Sequence, residues 1–138
     1  MRNLLSGLIL TVSLSASAVA AAPQELLCRE ESGGWCESGG PCYVNTKPPA
    51  DFRFFGVIPD ELGTQKAVLN ECRSGECGPD WEVEFRRGLG PQLTASRLGE
   101  QWTLDLGSGF FSHASVVSAE TLGRVSYAFG HCKLPAAR

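Results

Sequence analysis

Histidine is scarce in this chain of 138 residues, which has only His113 and His131, and the motifs that would announce a reaction are scarcer still. No GxSxG elbow occurs, so the strained strand-to-helix nucleophile of the α/β-hydrolases is excluded. No CxxC pair occurs either, which removes the common zinc and redox spacings. Basic residues seldom adjoin: Arg86-Arg87 is the one adjacent pair, too little for the patch that neutralising nucleic-acid phosphates requires. Charged residues stop at 20% against 43% apolar, a balance that fits neither a disordered tail nor a fibrous rod. A single compact domain remains.

Long apolar runs are also missing. The longest, Leu4 to Leu14, is interrupted by Ser6, Gly7, Thr11 and Ser13, and it falls short of the roughly 20 residues that cross a bilayer as a helix. It follows Arg2, the one charge before Glu25, and precedes the small residues Ala16 to Ala22. Charge, short apolar stretch and small residues in that order are the signature of a secretory signal peptide. Residues 1–21 are therefore expected to be removed, with cleavage after Ala20 or Ala21, leaving residues 22–138 as one domain in the periplasm or outside the cell. Loss of Arg2 leaves 11 basic against 15 acidic residues, a net charge of −4. No membrane span and no nucleic-acid partner are expected.

The cysteines Cys28, Cys36, Cys42, Cys72, Cys77 and Cys132 all fall in the mature part. An even number in an exported chain reads as a disulfide framework of three bridges. Cys72 and Cys77 enclose only Arg73-Ser74-Gly75-Glu76, a turn-forming segment, and are expected to pair across a hairpin. Cys132 is expected to tie the last strand to one of the N-terminal cysteines; the pairing of Cys28, Cys36, Cys42 and Cys132 stays open. Metal ligation is not expected, since a thiolate cluster is out of place in an oxidising compartment, and no cofactor is implied.

Short runs separated by Gly or Pro follow one another at intervals of about ten residues. The predicted strands are Phe52 to Ile58, Gln65 to Cys72, Trp81 to Arg86, Gln92 to Arg97, Gln101 to Leu106, Phe110 to Val117 and Arg124 to Cys132. Trp81, Val83 and Phe85 alternate with Glu82, Glu84 and Arg86, and Trp102, Leu104 and Leu106 with Thr103 and Asp105; Val125, Tyr127 and Phe129 continue the pattern near the end. Such period-two patterning buries one face and wets the other, as antiparallel sheets allow. The fold expected is all-β: a small, disulfide-stapled antiparallel sandwich or barrel of seven or eight short strands. Glu25 to Tyr43, rich in Ser32-Gly33-Gly34 and Ser38-Gly39-Gly40, reads as a segment held by disulfides rather than by a core of its own. Pro59 to Leu62 and Ser118 to Leu122 are turn-sized helical candidates.

Candidate chemistry is thin. His113 and His131 are the available acid–base groups, each in a strand-like run, and a structural role suits them better than catalysis. Glu82 and Glu84 share a strand face as paired carboxylates would, yet that face is simply the wet side of an amphipathic strand. Phe52, Phe54 and Phe55, like Trp102, read as core before they read as a ligand wall. Gly107-Ser108-Gly109 reads as a hairpin turn, because no helix start and no Lys follow it.

The signal peptide, the three early cysteines, Cys72-x4-Cys77 and the terminal Phe129-Gly130-His131-Cys132 resemble small exported proteins of Gram-negative bacteria that have no assigned activity; that resemblance implies no functional residue. In size and in being disulfide-tied β proteins, the chain is similar in kind to periplasmic lysozyme inhibitors, without their inhibitory-loop sequence. The function expected is a binding or inhibitory module for an envelope or extracellular protein, with Ser32 to Gly40 and Arg73 to Glu76 as its pinned loops. A small secreted hydrolase using His113 or His131 and a structural envelope protein are the alternatives. The sequence sets no oligomeric state.

Overall fold

The computed structural model describes residues 21–60, 62–116 and 123–134. Residues 1–20 of the expected signal peptide and the turn at Ser118 to Leu122 lie outside the described residues, as does Glu61 in the connection that holds Pro59. No helix occurs among the described residues.

Ten strands form: β1 (Gln24–Cys36), β2 (Cys42–Val44), β3 (Ala50–Gly56), β4 (Thr64–Arg73), β5 (Glu76–Cys77), β6 (Trp81–Arg87), β7 (Gln92–Arg97), β8 (Glu100–Asp105), β9 (Phe110–Val116) and β10 (Val125–Lys133). Eight of them, in the order β1-β3-β4-β6-β7-β8-β9-β10, pair antiparallel, and β10 returns to pair with β1. The sheet is thus a closed up-and-down barrel rather than a sandwich, and closure leaves no long unpaired edge. The short β2 and β5 are hairpin extensions on β1 and β4.

The segment before Tyr43 corrects the sequence reading. It supplies β1, the longest strand, whose Leu26 and Cys28 are fully buried in the barrel core. The β1 glycines, Gly33 and Gly34, are there for close packing rather than for a turn: a Cβ on Gly34 would collide with the Tyr43 carbonyl and crowd the Tyr127 ring. Only Glu37 to Gly40 turns, closed by a Gly40 N–H bond to the Glu37 carbonyl at 3.0 Å.

All three disulfides join residues directly opposite each other on neighbouring strands. They are Cys28–Cys132, Cys36–Cys42 and Cys72–Cys77. The Cys72–Cys77 bridge spans a tighter turn than the spacing suggested, because Arg73 and Glu76 still pair in the ladder. Ser74 and Gly75 alone turn, both at positive φ (51° and 81°), the backbone of a type I′ hairpin. Replacing Cys72 and Cys77 together by alanine releases only a short loop. It should lower stability by about 2 kcal/mol in urea unfolding while leaving the protein folded.

Alternation along each strand fills the barrel. Phe52, Phe54, Phe85, Trp102 and Phe111 are its largest fully buried side chains, packed among Leu69, Val83, Leu93 and Leu104. Eight strands leave an interior just wide enough for such side chains. Ile58, Leu106 and Leu134 close one end. Phe55 corrects the sequence reading in the other direction, being 56% exposed on the outer wall.

Candidate functional site: the charged mouth of the barrel

At the opposite end, the same inward faces change character. Leu26 and Cys28 are followed by Glu30, Ala67 and Leu69 by Glu71 and Arg73, Leu93 and Ala95 by Arg97, and Phe111 by His113, while Glu100 precedes Trp102 and Leu104. The upper layer of the barrel interior is therefore built of three carboxylates, two guanidinium groups and an imidazole. The two hairpins pinned by Cys36–Cys42 and Cys72–Cys77 stand at this same end, because β1 and β4 run in the same direction.

Two ion-paired groups occupy the layer. In the first, Glu30 is 5% exposed and accepts a bond from the Ala50 N–H at 3.1 Å, with Arg73 Nη1 at 3.5 Å. Arg73 also donates to Glu71 Oε1 at 3.1 Å and to the Pro48 carbonyl at 2.7 Å, tying β4 to the connector before β3. Arg73, expected in an exposed loop, is thus an inward-turned clamp. Burial of a carboxylate is tolerable only with such partners.

In the second group, Arg97 Nε bonds Glu100, whose other oxygen lies 3.5 Å from His113 Nε2. The His113 ring lies parallel to Trp102 (2°, centroids 4.5 Å apart) and meets the edge of Phe52. The guanidinium of Arg97 sits 4.4 Å over the ring of Trp81. His113, 11% exposed, is consequently an interior residue, whereas His131 is on the outer wall with Nδ1 2.9 Å from Glu31 Oε1. Glu82 and Glu84 face outward, next to Lys66 and Arg86.

Burial, the largest influence on the Glu100 carboxyl, raises it, but the polar contacts to His113 and Arg97 and their charges outweigh it, so the group sits below its usual value of 4.5. A carboxyl lowered on folding contributes stability that is complete above the unfolded value and is lost as pH falls through the folded one. The stability advantage of the native chain over Glu100→Gln should accordingly be constant above about pH 5 and shrink as pH drops below about 4. Thermal melts of the two proteins across that range test this; an advantage that does not change on acidification would contradict it.

A cavity of about 610 Å³ opens at this mouth, with Glu30, Glu71, Arg73 and His113 toward the barrel and Lys47, Trp35, Arg124 and Tyr127 around it. A second depression of about 440 Å³ lies between Trp81 and the Cys72–Cys77 hairpin. Among the described residues no three His, Cys, Asp or Glu side chains gather as metal ligands, and every cysteine is in a disulfide. His113 Nε2 is shielded from solvent, 3.5 Å from Glu100 Oε1.

Fold and site together define a disulfide-stapled, closed eight-stranded antiparallel barrel with an apolar interior and a charged mouth. No protein-family model, curated protein or solved structure matches the chain.

Proposed function

We propose that the protein is an exported binding or inhibitory module that acts in the periplasm or outside the cell and engages an envelope or extracellular protein through the mouth of the barrel. One observation carries the reading: both disulfide-pinned hairpins, the cavity and the charged inner layer coincide at one end. Pinned hairpins lose little freedom on binding, and Tyr43, Val44 and Trp81 are large apolar side chains left exposed around that end, the kind of residue that anchors interfaces.

Export is supported by the leader pattern in residues 1–21 and by the three disulfides, which fit a non-reducing compartment. No described helix is long and apolar enough to cross a membrane. The barrel core is apolar, and its outer wall mixes Arg53, Glu82, Glu84 and Arg86 with Phe55, Val68, Phe110 and Phe129, unlike the continuous apolar band of a barrel that faces lipid.

Capture of envelope proteins by the immobilised protein tests the reading. Replacing the hairpin tips Glu37 to Gly40 and Ser74-Gly75, with Tyr43→Ser and Val44→Ser, should abolish capture. Substitutions at Phe55 and Val68 on the outer wall should leave it unchanged. The opposite pattern would move the binding surface to the wall.

A further inference from the structure

We infer that the mouth cavity binds a small anion, a carboxylate or a phosphate monoester, with Arg124 and Lys47 as its charged contacts; the inference rests on the mouth being the binding end. The cavity is lined by three cations and two carboxylates besides His113. Both carboxylates are already engaged, since Glu30 and Glu71 face Arg73, and Glu30 also accepts the Ala50 amide. Arg124 and Lys47 have no carboxylate within ion-pair distance among the described residues.

Arg124 is also held in place. Its guanidinium lies 4.4 Å over the Trp35 ring, whose own stack on Tyr43 (4.3 Å) fixes it across the Cys36–Cys42 hairpin. The guanidinium is thereby held beside the indole, and it donates to no carboxylate among the described residues, a setting in which arginine is available to read planar anions.

The barrel beneath offers more donors than acceptors. Arg97 Nη1 and Trp102 Nε1 are buried donors without a hydrogen-bond partner, Trp102 is fully buried, and His113 Nε2 has only the Glu100 carboxylate, at 3.5 Å. Buried donors left unsatisfied are costly. Of these only His113 lines the cavity; an oxygen-rich anion there offers an acceptor at the donor-rich end of the barrel interior, which a cation or an apolar ligand would not. The protein as a whole is acidic, so this local surplus of positive charge is a feature of the cavity and not of the surface at large.

The test is NMR titration of the protein produced from the full chain, labelled with ¹⁵N, with sodium benzoate, phenyl phosphate and the uncharged benzyl alcohol up to millimolar concentrations. The Arg124 Nε and Trp35 and Trp102 indole signals should shift with one or both anions and not with the alcohol. The carboxylate and phosphate arms show which oxygen group is preferred. Arg124→Gln with Lys47→Gln, both exposed positions, should weaken binding by about tenfold or more. Arg53→Gln with Lys66→Gln, the same charge change on the outer wall, should leave it unaltered. Equal binding of benzyl alcohol, binding that survives the Arg124 and Lys47 double substitution, or no shift with either anion overturns the inference. Should no anion bind while the hairpin variants still lose capture, the inference falls and the mouth remains the binding end. Anion binding alongside hairpin variants that capture normally keeps the cavity site and removes the protein partner from the mouth.

Discussion

Replacing Cys28 and Cys132 together by alanine is expected to lower stability by about 4 to 5 kcal/mol, roughly twice the effect of removing the Cys72–Cys77 bridge. The bridge spans 104 residues, nearly the whole described chain. Cutting it restores to the unfolded chain the freedom that a short hairpin bridge barely restricts. Its place in the fold adds to this. β1 and β10 are the first and last strands, their pairing is what closes the barrel, and both sulfurs lie inside the wall, Cys28 with no exposure. Gly130, two residues from Cys132, lets the seam close, because a Cβ there would collide with the Arg29 carbonyl and the Phe111 ring. Urea unfolding of the two double variants side by side is the check. A midpoint shift for the Cys28/Cys132 pair no larger than for the hairpin pair would mean that ladder and core alone hold the seam.

The second large effect is expected at Trp102. Trp102→Ala should cost about 3 to 5 kcal/mol, the range for emptying an aromatic site in a packed core. Trp102 touches Phe52 and Phe54 edge-on and carries the His113 ring on its face, so its loss removes the floor of the charged layer as well as core volume. Trp102→Phe should cost much less, below about 1.5 kcal/mol, because it retains most of the ring and deletes an indole N–H that has no partner. Denaturation midpoints of the two variants separate the contributions. Equal losses would show that the indole N–H is engaged after all.

Much of the barrel wall was legible in the sequence. β6 and β8 follow the period-two patterns at Trp81 to Phe85 and Trp102 to Leu104, because a strand with one wet and one dry face must alternate, and β7 follows the predicted run Gln92 to Arg97. In β10 the apolar set Val125, Tyr127 and Phe129 faces outward, while Ala128, Gly130 and Cys132 are the buried residues. Gly107-Ser108-Gly109 is the expected hairpin turn, its entry set by Asp105 Oδ1 accepting the Gly107 and Ser108 N–H groups at 2.8 and 3.0 Å. The long β1 was not legible. Its inward face is Leu26, Cys28 and then a charge, and its glycines mimic a loop in composition while serving close approach to Tyr43 and Tyr127.

The mouth was hidden for the same reason. Charges at inward positions look like solvated residues until the barrel closes around them, and their partners are far away in sequence, as with Glu30 and Arg73. One signal was present: Leu93-Ala95-Arg97 and Phe111-His113 continue an apolar stripe into a polar side chain, and they do so at the same end of β7 and β9, which run in the same direction on either side of β8. That register marks a polar layer inside the barrel rather than a wet face outside it. The distinction between sandwich and barrel rests on the β1–β10 pairing, which no local pattern encodes.

Hydrogen–deuterium exchange of the protein, alone and with the envelope fraction it captures, tests the mouth most directly as the binding end. The amides of residues 42–47, 73–77 and 124–128 should exchange more slowly in the bound state. Those of the outer wall around Phe55 and Val68 should not change. Slowed exchange confined to that wall, with the mouth exchanging as in the free protein, would contradict the account.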